Sequence, residues 1–191
     1  MRLNRKFFNR NTVIIAKELL GKYLCCRQTG QVIRAKITET EAYCGLKDKA
    51  SHASRGLTPR TKLMFGPPGY AYVYIIYGMY YCLNVVTERE GYPAAVLIRT
   101  AEILNSKSEI LNKLKISNLK IQKLKGPGIL CRELSIDKKL NGVDLVRSKE
   151  LWIEGSNQKG HELKIKKGKR IGVDYAGSYK DKMWRFYIAK Y

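Results

Sequence analysis

The chain has 191 residues, with 37 Lys and Arg against 16 Asp and Glu, for a net charge of +21 at pH 7. That length predicts one domain over residues 1–191 with a substantial core, and a 45% hydrophobic, 28% charged composition excludes a disordered or membrane-embedded chain. So large a positive balance points to a polyanionic partner, nucleic acid before others.

No apolar run approaches a membrane span and the first residues lack a hydrophobic signal core, so a cytoplasmic protein with no membrane partner is expected. Cys25, Cys26, Cys44, Cys82 and Cys131 show no metal-site spacing, and His52 and His161 are the only histidines. Free thiols in a reducing compartment are therefore expected, with no metal and no cofactor.

In chain order, Asn9 or Asn11 is placed to cap a helix through VIIAKELL, which Gly21 stops. Strands at 22–27 and 32–43 follow, joined by a turn at Gln28-Thr29-Gly30. The second contains ITETEAY, and strand alternation puts Glu39, Glu41 and Tyr43 on one face, away from Thr38, Thr40 and Ala42. A carboxylate on a strand running into the core is unfavourable unless it is paired or working. Two readings stand: solvated glutamates on an edge strand, or a general base matched with Arg99, whose guanidinium would keep it ionised. Residues 44–63 form a polar loop long enough to suggest function.

Residues 67–84 hold six tyrosines among eighteen residues. Their aromatic and β-branched run predicts a hairpin with Tyr70, Tyr72, Tyr74 and Ile76 on one face and Val73, Ile75 and Tyr77 on the other. Gly78 permits the turn, which leaves Tyr77 at the tip. AAVLIR then predicts a buried strand ending at Arg99. The lysine-rich stretch 106–125 has the spacing of one or two amphipathic helices with a solvated face. A short helix follows around 129–134 and a turn at Asn141-Gly142. ELWIEG, HELKIKKG and MWRFYIAKY read as strands. The expected fold is α+β, a single domain with a curved, largely antiparallel sheet, helices packed around it, and a protruding hairpin.

Between residues 39 and 99 seven basic and five acidic residues leave a balance of only +2, so the flanks carry the charge. A near-neutral aromatic centre between basic flanks suits a site held between phosphate contacts. Tyrosines within so basic a chain also suit stacking on nucleobases.

ETEAY at 39–43, His52, MFGPPG at 64–69, YVYIIYGMYYCLN at 72–84 and VLIR ending at Arg99 together resemble the alkyladenine (3-methyladenine) DNA glycosylase family of base-excision repair. LLGKYL, GPGILCREL, RIGVDYAG and WRFYI extend the resemblance over nearly the whole chain. It implies a monofunctional enzyme that flips damaged purines out of double-stranded DNA and hydrolyses the N-glycosidic bond. By the same resemblance Glu41 is the general base, with Arg99 and the Val173 carbonyl helping to hold the attacking water. Tyr43 on one side and His52 with Tyr74 on the other would stack the flipped base, Asn84 would crowd the 2-amino group of guanine, and Tyr77 would be the intercalating wedge. The protein is expected to act as a monomer. Two competing classes are a nuclease holding Mg²⁺ on Glu39, Glu41 and Asp48, and a non-catalytic nucleic-acid-binding protein that uses its tyrosines only for stacking.

Overall fold

The computed structural model of the protein describes residues 1–103, 122–156 and 163–189. Helix α1 (Arg5–Phe8) is a single turn, capped by Asn4, that buries Phe8 and gives little sign of itself in the sequence. Helix α2 (Thr12–Glu18) starts where the Asn11 side chain accepts from the N–H groups of Val13 and Ile14, at 3.1 and 3.2 Å. Glu88 accepts from the Thr12 N–H at 2.8 Å, which sets a negative charge at the helix's positive end.

Strands β1 (Tyr23–Gln28) and β2 (Gln31–Cys44) form a hairpin. Thr29 and Gly30 both take positive φ, 45° and 81°, which gives the two-residue turn that matches strand twist. A second hairpin joins β3 (Ala71–Ile76) to β4 (Tyr80–Val86). Then come β5 (Ala94–Ile103), β6 (Gln122–Lys125), α3 (Pro127–Glu133), β7 (Leu151–Glu154), β8 (Ile165–Gly168) and β9 (Arg185–Ile188).

All pairings among the described strands are antiparallel. The long β2–β5 ribbon is the spine of the sheet. At one end it carries β4 and β3 on the β5 side and β9 and β8 on the β2 side. At the other end the same two edges carry β6 and, across β1, β7. The sheet thus forks and curls, as an α+β fold with few helices. Register slips twice where it forks: Ile37 faces Ala101, Glu39 faces Thr100 and Thr40 faces Ile98, so Thr38 and Arg99 are each left without a partner. Such paired bulges re-aim side chains and raise local twist.

The core lies against this curl. Ile15 and Ala16 of α2 and its C-cap Leu19 are buried in one cluster with Ile37, Ile98 and Phe186 of the sheet. The Thr40 hydroxyl, on the same side, donates to Ala16 O at 2.6 Å. Helix α3 contributes Leu130 and Cys131, and its C-cap Leu134, to the same cluster.

Two expectations are corrected. β5 does not end at Arg99 but runs four residues further, because β6 supplies its edge with a partner. Residues 122–125, read as part of a helix, are that partner strand; the rest of the lysine-rich stretch, 106–121, and His161 lie outside the described residues. Among the described residues no helix is long and apolar enough to cross a membrane.

Candidate active site

Glu41 sits at the forked end of the spine, opposite Leu97 of β5 on one side and Arg185 of β9 on the other. It is not a solvated edge glutamate: β2 is interior there, and the side chain is 0% exposed. One carboxylate oxygen accepts from the Ile171 N–H at 2.9 Å. The other accepts from the Tyr43 hydroxyl at 2.8 Å and from Arg99 Nη1 at 3.3 Å. Burial pushes its pKa above that of an ordinary glutamate, and Arg99, the Ile171 N–H and the Tyr43 hydroxyl pull the other way without overcoming it. Arg99 therefore offsets part of the desolvation of Glu41 without setting its acidity alone.

In front of this carboxylate lies a cavity of about 190 Å³. Tyr43, His52, Tyr74, Asn84, Arg99 and Val173, each from a different element or loop, all line it. Tyr77 stands at its rim, 86% exposed, in a turn where Met79 N–H donates to Ile76 O and where Tyr77 and Gly78 both take positive φ. Glu41 itself is not on the lining. Its three donors are, so it stands in the wall behind them.

The aromatic lining has a definite shape. His52 opens a 3₁₀ turn (His52–Arg55) after Ser51, whose side chain accepts from Ala53 N–H. Its Nδ1 is 3.0 Å from the Tyr72 hydroxyl, and its ring meets Tyr74 at 71° with centroids 4.6 Å apart. His52 and Tyr74 thus make a corner, not one flat platform. Burial first, then Arg60 and Arg55, lower the His52 pKa to about 4, so the ring is neutral near pH 7. The Tyr43 phenol is pushed well above its ordinary value, by burial and then by the charge of Glu41, and stays protonated as a donor. Asn84 is buried and anchored by a 3.2 Å bond from its side-chain N–H to Tyr72 O across the hairpin.

Three features escaped the sequence. Arg170, present in the sequence reading only as the first residue of RIGVDYAG, is buried outside the cavity with its guanidinium 4.8 Å from the Tyr43 ring centre and 5.1 Å from that of Trp184. It donates to both oxygens of Asp48, at 2.6 and 2.8 Å, and to the carbonyls of Ala42 and Tyr179. Asp48 also accepts from the N–H groups of Cys44 and Ala50, which corrects its assignment as a cation ligand beside Glu39 and Glu41. The third feature is the Tyr43–Glu41 bond, whose only sequence signal is the i, i+2 spacing that puts both on one strand face.

The chain is similar over nearly all its length to curated proteins that carry the provisional name 3-methyladenine DNA glycosylase. The one from Desulfitobacterium hafniense is 50% identical, with 98% of this chain and 95% of the relative covered. Those from Alkaliphilus oremlandii and Methanocella arvoryzae are 48% and 49% identical, covering 98% and 97% of this chain and 96% and 91% of theirs. Residues 6–191 match the profile of the family described as methylpurine-DNA glycosylase. A match of that extent leaves one assignment for the sequence: the chain belongs to the methylpurine-DNA glycosylase family.

Proposed function

We propose that this protein is a monofunctional, monomeric glycosylase that flips a damaged purine out of double-stranded DNA and hydrolyses its N-glycosidic bond with water activated by Glu41. The observation that carries the reading is a carboxylate buried in the wall of a tyrosine-lined cavity, its basicity raised by burial. An ionised carboxylate offers about four acceptor positions. Three are filled by Ile171, Tyr43 and Arg99, which leaves one for the O–H of a water; the Val173 carbonyl would accept a hydrogen bond from its other O–H.

In the reaction the water oxygen bonds to C1′ as its proton passes to Glu41, and the electrons of the C1′–N bond leave with the purine. For a cationic purine such as 3-methyladenine in its nucleotide, those electrons neutralise the leaving group and no acid is needed. Hypoxanthine and ethenoadenine leave as neutral bases only with a proton, and His52, with a pKa of about 4, is a poor source near pH 7. The proposed spectrum therefore centres on 3-methyladenine. Tyr43 stacks one face of the base, the His52–Tyr74 corner receives the other, Asn84 restricts the purine edge, and Tyr77 fills the vacated stack.

The test is single-turnover base release from a duplex with one lesion, in EDTA, scored as alkali-labile abasic sites. Glu41→Gln is expected to bind lesion duplex as the parent does and to lose about 10²–10⁴-fold in rate. A near-parental rate removes Glu41 from the role, a borohydride-trapped adduct overturns the water mechanism, and tight binding without release leaves a non-catalytic binder.

A further inference from the structure

Glu39 is the carboxylate of ETEAY that this chemistry leaves without a task. It lies between the two slips of register, opposite Thr100, and Arg99 is the residue of β5 that the slips leave unpaired. One Glu39 oxygen accepts from the Thr100 hydroxyl at 2.8 Å. The other accepts from Arg185 Nη1 at 3.0 Å and stands 3.4 Å from Arg99 Nε. Arg99 Nε is buried and forms no closed hydrogen bond, so charge is what draws that edge of the guanidinium to Glu39. The opposite edge, Nη1, reaches Glu41.

We propose that Glu39 is a positioning residue, which holds Arg99 by its Nε edge so that the guanidinium meets Glu41 through one nitrogen and leaves an acceptor position on the carboxylate open for water. A guanidinium is a flat fork suited to gripping a carboxylate with two nitrogens. Without a competitor on its Nε side, Arg99 would turn to grip Glu41 in that way, filling the position the water needs and stabilising the anion. Glu39 prevents both. The paired bulges are the backbone device that sets two carboxylates and one arginine within reach.

The charges around the pair are accounted for on each element. Glu41 faces Arg99 of β5, Tyr43 and Glu39 of β2, and the Ile171 N–H. Glu39 faces Arg99 and Thr100 of β5 and Arg185 of β9, whose Nε donates to Lys169 O at 2.7 Å. Further out, Lys36 of β2, Lys125 of β6, Lys166 of β8 and the Glu102–Lys123 ion pair share an open cavity with it. Glu39 makes Glu41 more basic. Its removal shifts Glu41 the other way and weakens it as a base.

This inference rests on Glu41 being the general base, and the experiment separates the two. Single-turnover release would be followed across pH for the parent, Glu39→Gln, Arg185→Gln and Glu41→Gln, with lesion-duplex affinity and thermal melting measured alongside. Glu39→Gln is expected to move the acid limb of the pH–rate profile to lower pH and to lower the plateau by roughly ten- to a hundred-fold, with affinity unchanged. Arg185→Gln, which strips Glu39 of a competing cation, is expected to move the limb to higher pH, and it decides the matter if Glu39→Gln fails to fold. An unmoved limb and plateau in Glu39→Gln, or a limb that moves the same way in both variants, overturns the positioning role while Glu41→Gln stays inactive. A parental rate in Glu41→Gln overturns the reading beneath it.

Discussion

Tyr43 serves two purposes that a single substitution can separate. Its ring lines the cavity, and its hydroxyl is one of three donors that hold Glu41 below the basicity that burial would otherwise give it. Tyr43→Phe keeps the ring and removes the donor, so Glu41 takes up a proton at higher pH. Because the proposed mechanism needs the ionised carboxylate, the acid limb of excision is expected to shift upward, with activity lost below neutrality more than above it. Lesion affinity stays near parental. Single-turnover rates across pH with a parallel binding assay check this; a limb that moves downward rejects the geometry. At this scale the sequence is informative where chemistry and order coincide. Glu41, Tyr43 and Arg99 stand out because acid, phenol and guanidinium fall on strand-like runs. Arg170 and Asp48 do not, because a buried pair 122 residues apart in the chain has no local pattern.

The second hairpin was legible as an element: alternation separates Tyr72 and Tyr74, which line the cavity, from Val73 in the core and exposed Ile75. Its turn is of the two-residue kind that needs positive φ at both positions, met here by Tyr77 and Gly78. Tyr77 takes a φ of 51° while 86% exposed, a conformation that disfavours non-glycine residues by about 1–2 kcal/mol, with no packing in return. Glycine would meet the same turn without that cost, so a tyrosine here fits the wedge proposed for it. Tyr77→Gly is expected to leave stability unchanged or raise it by up to about 1 kcal/mol, while excision from duplex falls sharply. Denaturant titration and single-turnover release on the same preparation test it, and a clear loss of stability contradicts it. The register slips between β2 and β5 were not legible. A bulge follows from how two strands and their further neighbours fit, and ITETEAY reads as regular alternation until β9 and β6 are in place.

Across the whole molecule, the cavity is drawn from residues 43–52, 64–84, 97–99, 127 and 171–175, and the Asp48–Arg170 pair ties the first of these stretches to the residue just before the last. Both side chains are 0% exposed, so the pair is sealed from water. Asp48→Asn leaves the guanidinium buried without a counter-charge and is expected to cost about 3–5 kcal/mol by urea unfolding; a loss under 1 kcal/mol would mean that water reaches Arg170. Composition announced the basic character and the pattern of elements the α+β class, but not the fork, which depends on β2 and β5 each hosting two partners along one edge. The Ile171 contact carries a consequence in time. Synthesis delivers Glu41 early and the hairpin soon after, yet the N–H that fixes one oxygen of Glu41 comes 130 residues later. Until that segment docks, Glu41 lacks the enclosure that makes it a stronger base, while the tyrosines of the hairpin are already made. A chain still on the ribosome would thus hold the hairpin before the contact that completes the surroundings of Glu41, and under the proposed mechanism competence for base release arrives last.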